Sequence, residues 1–346
     1  MIQRKIIRSK APLRLGLAGG GTDVSPYSDL YGGLVLNATI NLYAHCYIEK
    51  TNNDKIEIYA ADINQRETLP VQKELPINGS LSLGKGVYNR IIKDFNLPPF
   101  SFKMTTYSDA PAGSGLGSSS TMVVCILKAF IEMFSLPLGD YETARLAYEI
   151  ERLDLSLAGG KQDQYAATFG GFNLMEFRPN DLVIVNPLKI KRWIKDELEA
   201  SMLIYYTGAS RSSAQIIDEQ KNNTKQGNAQ TLDSLHKIKQ SAEDMKQTLL
   251  SGDIWGFAQI IKKGWEDKKR LAKSISNNKI DNIVDAAYNN GALAAKVSGA
   301  GGGGFITFVT QPENKYNLMQ VLDKMDGRCI PFQFTEDGPH GWIINK

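Results

Sequence analysis

The sequence of 346 residues predicts a globular protein that mixes strands and helices in one large or two ordinary domains. Three observations lead to this expectation. The length exceeds the about 100–200 residues of a single domain. Residues 2–18, 33–50 and 55–61 follow the β-branched, partly alternating pattern of strands, and the second half contains long segments with helical spacing. We place the domain boundary near residue 190, which gives an N-terminal part, 1–190, and a C-terminal part, 191–346.

The composition excludes several classes of protein. Lysine and arginine number 40 against 37 aspartate and glutamate, which argues against a surface built for nucleic acid or an acidic membrane, so we expect small-molecule partners. No stretch approaches the ~20 apolar residues that span a bilayer, and we expect a cytoplasmic protein. Three cysteines and three histidines lack the spacing of a disulfide framework or a zinc hydrolase. The oligomeric state is left open, with a homodimer among the alternatives.

The first half should begin with strands and continue with helices. Hydrophobic patterning predicts strands over 2–18, 33–50, 55–61 and 100–107, helices over 81–95, from 118 and over 140–153, and a hairpin of 172–177 with 181–188. We interpret the glycine-bordered segment 155–171 as a loop.

The second half should contain a strand at 201–206, helices over 231–250, 253–273, 279–290 and 315–325, and a strand after the glycine run at 299–304. We interpret the polar stretch 221–231 as an exposed loop. Residues 262–273 mix both signs of charge and are interpreted as a solvated helix face.

The strongest local signal is PAGSGLGSSST, at 111–121. Alternate glycines let successive N–H groups turn into one concavity, and the serines begin a helix whose N-terminus attracts phosphate. A flexible linker is the alternative, but a linker has no reason to abut the apolar run that follows. The segment is neither a Walker loop nor a Rossmann fingerprint. It predicts a polyphosphate site made by Pro111, Gly113, Ser114, Gly115, Leu116, Gly117, Ser118, Ser119 and Ser120.

Three further glycine-rich segments accompany this loop. In SKAPLRLGLAGGGTD, Thr22 and Asp23 suit sugar hydroxyls, although a tight turn is an equal alternative. In GGKQDQ, Asp163 is either a functional carboxylate or an ordinary cap or turn former. In VSGAGGGGF, five of six consecutive residues are glycine, and ordering them on folding costs much conformational entropy. We therefore expect that the backbone of this segment must pass close to another group.

In this order the four segments resemble the GHMP kinase superfamily, which contains galactokinase, homoserine kinase and mevalonate kinase. The resemblance covers nearly the whole chain. It implies an α+β protein with two domains, an N-terminal ribosomal-S5-like α/β domain and a C-terminal ferredoxin-like α+β domain, with ATP between them. It also implies that the first motif binds the phosphoryl acceptor and the second the ATP phosphates.

The resemblance also implies roles for individual residues. Asp163 would accept the proton of the acceptor hydroxyl and Arg14 would keep that carboxylate ionised, while Ser119 and Glu151 would bind Mg²⁺. The acceptor site would comprise Lys10, Gly19, Gly20, Gly21, Thr22, Asp23, Gly160, Gly301 and Gly302.

Within the superfamily, AGGGTDVSPYSDLYGGLVLNATI resembles the heptose 7-phosphate kinases, which phosphorylate O1 of D-glycero-D-manno-heptose 7-phosphate to the 1,7-bisphosphate for nucleotide-activated heptose. A sugar 1-kinase for unphosphorylated fucose or galactose is the alternative enzyme. A sugar sensor without kinase activity should lack the catalytic Asp or the Mg²⁺ ligands. Arg14, Ser119, Glu151 and Asp163 are all present, which argues against a sensor.

A phosphorylated acceptor needs a second anion site. YTGASRSSAQI places Arg211 in a turn at the start of a helix, so Arg211 is our hypothesis for the sugar phosphate, assisted by Lys10 or Lys161. The alternative is an N-cap with a surface arginine.

Overall fold

The computed structural model describes residues 5–79, 81–208 and 213–345, and these ranges form two β-sheets with helices packed on them. The strands are β1 (Lys5–Ala18), β2 (Gly33–Lys50), β3 (Lys55–Ala60), β4 (Gln65–Pro70), β5 (Phe102–Ser108), β6 (Phe172–Phe177), β7 (Val183–Pro187), β8 (Met202–Tyr206), β9 (Ala292–Val297), β10 (Phe305–Thr310), β11 (Arg328–Ile330) and β12 (His340–Asn345).

The helices lie between strands in the chain, singly or several in succession. They are α1 (Tyr27–Tyr31), α2 (Ser82–Asp94), α3 (Ser118–Phe134), α4 (Asp140–Glu149), α5 (Gln162–Phe169), α6 (Arg192–Ser201), α7 (Ser213–Lys225), α8 (Ala229–Ser251), α9 (Ile254–Lys269), α10 (Asn278–Asn289) and α11 (Pro312–Leu322). A π-helical turn, Ile150–Asp154, continues α4.

The first sheet has eight strands built around the long antiparallel pair β1 and β2. One half of β2 pairs with β5 and the other half with β6, and only the β3–β5 pairing is parallel among the described strands. Helix α3 crosses β1 and β2, and its buried apolar residues 122–127 join the core beneath the sheet. The apolar run after the serine-rich loop therefore anchors that loop to the sheet.

The second sheet is antiparallel, in the order β11-β8-β10-β9. Helices α8 and α9 cover it on one side, and their apolar residues join Leu13, Leu15 and Leu17 of β1 in one core. The two sheets are thus joined by packing as well as by the chain. After β11 the chain leaves the second sheet, and β12 pairs with β1 in the first. The domain boundary near residue 190 stays a prediction.

Most of the expected elements are confirmed, two expected loops are wrong in extent, and several elements were not predicted. The segment 155–171 is not a continuous loop, because α5 occupies its second half. The exposed loop expected at 221–231 begins later, because α7 continues to Lys225. Helix α6 and the strands β4, β9, β11 and β12 have no counterpart in the sequence-based prediction. None of the helices in the described ranges is long and apolar enough to span a membrane.

Candidate active site

A polar cleft of about 150 Å³ lies where the glycine-rich segments converge. Both sheets contribute to it, so residues far apart in sequence share one surface. Its lining includes Arg14, Gly20, Gly21 and Asp23 from the first motif, Gly113, Gly115, Gly117 and Ser118 to Ser120 from the second, Gly160 and Asp163 from the third, and Lys268, Lys296 and Gly299 from the second sheet and its helices.

The loop 111–117 has the backbone shape of an anion site. Gly113, Gly115 and Gly117 have φ values of +72°, +87° and +78°, which alternate with ordinary conformations. No side chain caps the N-terminus of α3 at Ser118, so the N–H groups of its first turn are left for a ligand. Leu116 is buried in the core and anchors the loop from below.

The second glycine run supports this loop from the other sheet. A Cβ added at Gly299 would lie 2.6 Å from the Cα of Gly115, and one at Gly115 would lie 2.5 Å from the Ser298 carbonyl oxygen. The Phe305 N–H also donates to the Ser114 carbonyl at 2.9 Å. The expectation of a close backbone approach is therefore confirmed, and the approaching backbone is the predicted phosphate loop.

Arg14 and Asp163 form an ion pair at the floor of the cleft. The Arg14 Nε donates to Asp163 Oδ1 at 2.7 Å, and its Nη2 lies 2.6 Å from the same oxygen. The Arg14 Nη1 also donates to the Gly115 carbonyl at 2.6 Å. Arg14 is buried, whereas the Asp163 side chain stays 22% exposed. The guanidinium thus holds the carboxylate against the phosphate loop and leaves part of it facing the cleft.

Asp163 lies in the first turn of α5, and Asp23 caps that helix from 140 residues away in sequence. Asp23 Oδ2 accepts from the N–H groups of Lys161 and Gln162 at 3.0 and 3.1 Å, and Oδ1 accepts from Gly21 N–H and Gln162 Nε2. Burial raises the pKa of Asp23, and these backbone donors and the Asp163 charge act with smaller effect. A Cβ at Gly160 would lie 1.9 Å from Asp23 Oδ2, which explains the glycine.

Ser119 and Glu151 lie together at the start of α3. The Ser119 hydroxyl donates to Glu151 Oε1 at 2.9 Å, and Gln164 Nε2 donates to Oε2 at 2.5 Å. Glu151 is fully buried, whereas Ser119 is exposed at the cleft. These hard oxygen donors suit Mg²⁺. Within the described residues no three His, Cys, Asp or Glu side chains cluster as metal ligands, so an ion here would complete its coordination with phosphate and water.

Two lysines of the cleft were not anticipated. Lys268 Nζ donates to the Gly299 carbonyl, and Lys296 Nζ donates to the carbonyls of Gly16 and Leu17 at 2.7 and 3.0 Å. Burial, followed by the Arg14 charge, lowers the pKa of Lys268 to about 8. The interpretation of 262–273 as a uniformly solvated face is wrong at Lys268. Its position three residues after the buried Trp265 was the available signal.

Comparison with known protein families agrees with this geometry. Residues 82–171 match the N-terminal domain of GHMP kinases, and residues 245–325 match the GHMP kinase C-terminal domain. The chain is 50% identical to D-glycero-alpha-D-manno-heptose 7-phosphate kinase of Campylobacter jejuni, over 98% of this chain and all of that protein. The chain belongs to the GHMP kinase family. It is therefore a phosphotransferase with an alcohol group as acceptor, and ATP is its co-substrate.

Solved structures show the same fold as this GHMP kinase. A protein described as D-glycero-D-manno-heptose 1-phosphate kinase, from Bacteroides thetaiotaomicron, is 59% identical, with a TM-score of 0.83 over 97% of this chain and 98% of its own. Mevalonate kinase of Methanococcus jannaschii is 24% identical, with a TM-score of 0.76 over 95% and 98% of the two chains, and shows the fold alone.

The remaining predicted residues of the GHMP kinase motifs divide into two groups. Lining the cleft are Gly20, Gly21, Gly113 and Ser118 to Ser120. The other predicted residues do not line the cleft. In the first motif, Gly19 packs on the Leu34 carbonyl, and the Thr22 hydroxyl forms hydrogen bonds with Gly19 and Leu34. In the last motif, Gly301 packs on Ile275 and the Gly302 N–H donates to the Ile275 carbonyl, while in the phosphate loop Ser114 is buried and Pro111 lies outside the cleft lining.

Two of the basic residues predicted near the acceptor phosphate, Lys10 and Lys161, do not line the cleft. Lys10 Nζ lies 4.4 Å from the centre of the Tyr43 ring, and Lys161 Nζ forms an ion pair with Asp181 at 2.5 Å. Arg211 lies outside the described residues.

An apolar cavity of about 170 Å³ adjoins the cleft at Ser118 and Ser119. Its other walls include Ile58, Ile63 and Met122, so it is lined mainly by aliphatic side chains. A flat, largely apolar ring suits such a cavity.

Proposed function

We propose that this kinase transfers the γ-phosphoryl group of ATP to O1 of D-glycero-D-manno-heptose 7-phosphate and so forms the 1,7-bisphosphate. The observation that carries the proposal is the Arg14–Asp163 pair, which presents one carboxylate edge to a cleft bounded by the phosphate loop. The choice of sugar is supported by the 50% identity to the Campylobacter jejuni kinase that bears this substrate in its name.

In the proposed reaction the phosphoryl group passes directly from ATP to the sugar, and the protein only accepts a proton and stabilises charge. The O1 oxygen attacks the γ-phosphorus, the bond from that phosphorus to the β,γ-bridging oxygen breaks, and ADP leaves with the bonding electrons. Asp163 accepts the O1 proton, and Arg14 stabilises the charge that develops beside it. Because phosphoryl transfer depends mainly on positioning and charge, the fixed geometry of Asp163 matters as much as its basicity.

ATP would span both cavities. The N–H groups of 113–120 would bind its phosphates, and the apolar cavity beside Ser118 would hold the adenine ring. Ser119 and Glu151 would hold Mg²⁺, which supplies positive charge against the phosphate oxygens. We also propose the cytoplasm as its compartment, since both substrates are charged metabolites. The homodimer stays a prediction.

One observation favours a second candidate. The 59% identical structure is described as a heptose 1-phosphate kinase. That name gives a sugar that carries its phosphate on O1 rather than on O7. The sequence also leaves unphosphorylated fucose and galactose as alternative acceptors.

An acceptor panel tests these candidates. The purified enzyme, with ATP and Mg²⁺, is given heptose 7-phosphate, heptose 1-phosphate, mannose 6-phosphate, fucose and galactose, and ADP release is measured. We expect the highest kcat/KM for heptose 7-phosphate, and a product whose new ³¹P signal couples to the anomeric proton. Preference for heptose 1-phosphate, or for a free sugar, would overturn the proposal.

A further inference from the structure

The positive charges of the cleft are not equally compensated. Arg14 is paired with Asp163, and Arg152 Nη1 lies 3.7 Å from Glu151 Oε1. Lys268 and Lys296 also line the cleft, but neither forms an ion pair within the described ranges. Their ammonium groups donate only to backbone carbonyls there.

Such an arrangement is costly for a protein without a ligand. An ammonium group that is partly removed from water loses hydration, and a carbonyl dipole replaces only part of it. Burial lowers the pKa of Lys296, and the neighbouring positive charges of Lys268 and Arg14 lower it further. An anion between the lysines would remove this repulsion.

Lys296 contacts the first motif, and Lys268 both borders that motif and contacts Gly299, which packs on the phosphate loop. The carbonyl partners of Lys296 are Gly16 and Leu17, and only Ala18 separates them from the three glycines of the first motif. A recess of about 30 Å³ beside the cleft is lined by both lysines together with Gly19 and Gly20. The apolar cavity, in contrast, adjoins the cleft at Ser118 and Ser119, on the phosphate loop.

We propose that Lys268 and Lys296 together bind the phosphate group that the sugar acceptor already carries. The inference rests on the proposed function, because it assigns a recognition site for the phosphate of that substrate. Two ammonium groups match the charge of a phosphate monoester dianion. The structure therefore places selection for a phosphorylated sugar on α9 and β9, whereas Asp163 and Arg14 belong to the first sheet and its helices.

The test compares variants that remove each charge. Lys268→Met and Lys296→Met keep most of the side-chain length, and Lys268→Arg and Lys296→Arg restore the charge. Lys269→Met is the matched control, because Lys269 lies on the same helix, pairs with Glu266 at 2.9 Å and does not line the cleft. KM and kcat are measured for heptose 7-phosphate, for the unphosphorylated heptose and for ATP, and Tm is measured for each variant.

We expect each Met variant to raise KM for heptose 7-phosphate at least tenfold, while KM for ATP changes less than twofold and kcat/KM for the unphosphorylated heptose is unchanged. The Arg variants should recover part of the lost affinity, and Lys269→Met should behave as wild type. A rise in KM for ATP instead would assign the lysines to the nucleotide phosphates. Equal losses for both sugars with a lowered Tm would assign them a structural role.

The wild-type measurements separate this inference from the proposed function. If wild type phosphorylates a different sugar phosphate, the proposed acceptor is wrong, and the same variants are compared on that sugar and its unphosphorylated form. If wild type prefers unphosphorylated sugars throughout, both proposals fail. If wild type uses heptose 7-phosphate and the Met variants keep its KM, only the lysine site fails.

Discussion

The cleft contains two pairs of charged residues that are built differently. Arg14 and Asp163, from β1 and α5, are 2.6 Å apart and neutralise each other. Lys268 and Lys296, from α9 and β9, carry the same sign and meet only carbonyl oxygens among the described residues. The neutral pair is complete before any substrate arrives, which suits chemistry that depends on fixed geometry. The like-charged pair is incomplete without an anion, which suits recognition.

The strongest way to test the neutral pair is Asp163→Asn. The substitution keeps the size of the side chain but removes the proton acceptor and the charge that pairs with Arg14. We expect kcat to fall by about 10²–10⁴-fold, the usual contribution of a general base, while KM for ATP stays near wild type. Steady-state kinetics with ADP detection measures both. Turnover within a few-fold of wild type would remove Asp163 from the proton transfer.

The second test concerns Glu151, which accepts from Ser119 at the proposed Mg²⁺ site. Glu151→Gln keeps the contact with Ser119 but removes a negative charge. We expect the Mg²⁺ concentration for half-maximal activity to rise by about 10–100-fold, the scale found when metal ligands or their supports are changed. A titration of activity with Mg²⁺ at fixed ATP measures it. An unchanged Mg²⁺ dependence would contradict the assignment.

The third test asks whether Asp23 acts by capping α5. Asp23→Asn replaces one of the two acceptor oxygens by an NH2 group, so either the Lys161 and Gln162 N–H groups or the Gly21 N–H and the Gln162 side chain lose their acceptor. We expect a loss of about 1–2 kcal/mol in the free energy of unfolding, as for other lost caps, and about a tenfold lower kcat because Asp163 lies in the same turn. Asp29→Asn, at a half-exposed carboxylate, is the control. A raised KM for the sugar with unchanged stability would instead support a sugar ligand.

The smallest expected effect is a pH dependence of the like-charged pair. The charged groups that face Lys268 are Arg14, Lys296, Asp23 and Asp163. Burial and then the Arg14 charge lower the pKa of Lys268 to about 8, against the smaller opposing effect of Asp23 and Asp163, so Lys268 loses its charge as the pH rises through 8. A sugar phosphate is already a dianion there, because its second pKa is about 6. We therefore expect KM for heptose 7-phosphate to rise several-fold between pH 7 and 9. Lys268→Arg, which keeps its charge, should flatten the profile.

The sequence predicted the local parts of the site well. The alternate glycines of 111–117 and the apolar run after Ser120 determine a loop and a helix by themselves, and both are present. Arg14 and Asp163 were named from motifs, and the fold brings them into contact. These features depend on residues within a few positions of one another, or on a motif whose parts recur together.

The features that were missed depend on distant contacts. Helix α5 begins beside two glycines, which favour a loop, and the cap that stabilises its first turn is Asp23, in another motif. Strands β11 and β12 are short or exposed, and their pairing partners are far away in the chain. Lys268 lies among surface charges in the sequence, and only the packing of α9 against β9 and β1 turns it inward. Local patterns contain none of this information.

The return of β12 to β1 has a consequence for motion. The second sheet is connected to the first by two covalent crossings, one after β7 and one before β12. A body attached at two points has less freedom to move than a body on one linker, and here α8 and α9 also share a core with β1. Any opening of the cleft is therefore restrained at both covalent crossings and must also shift this shared packing.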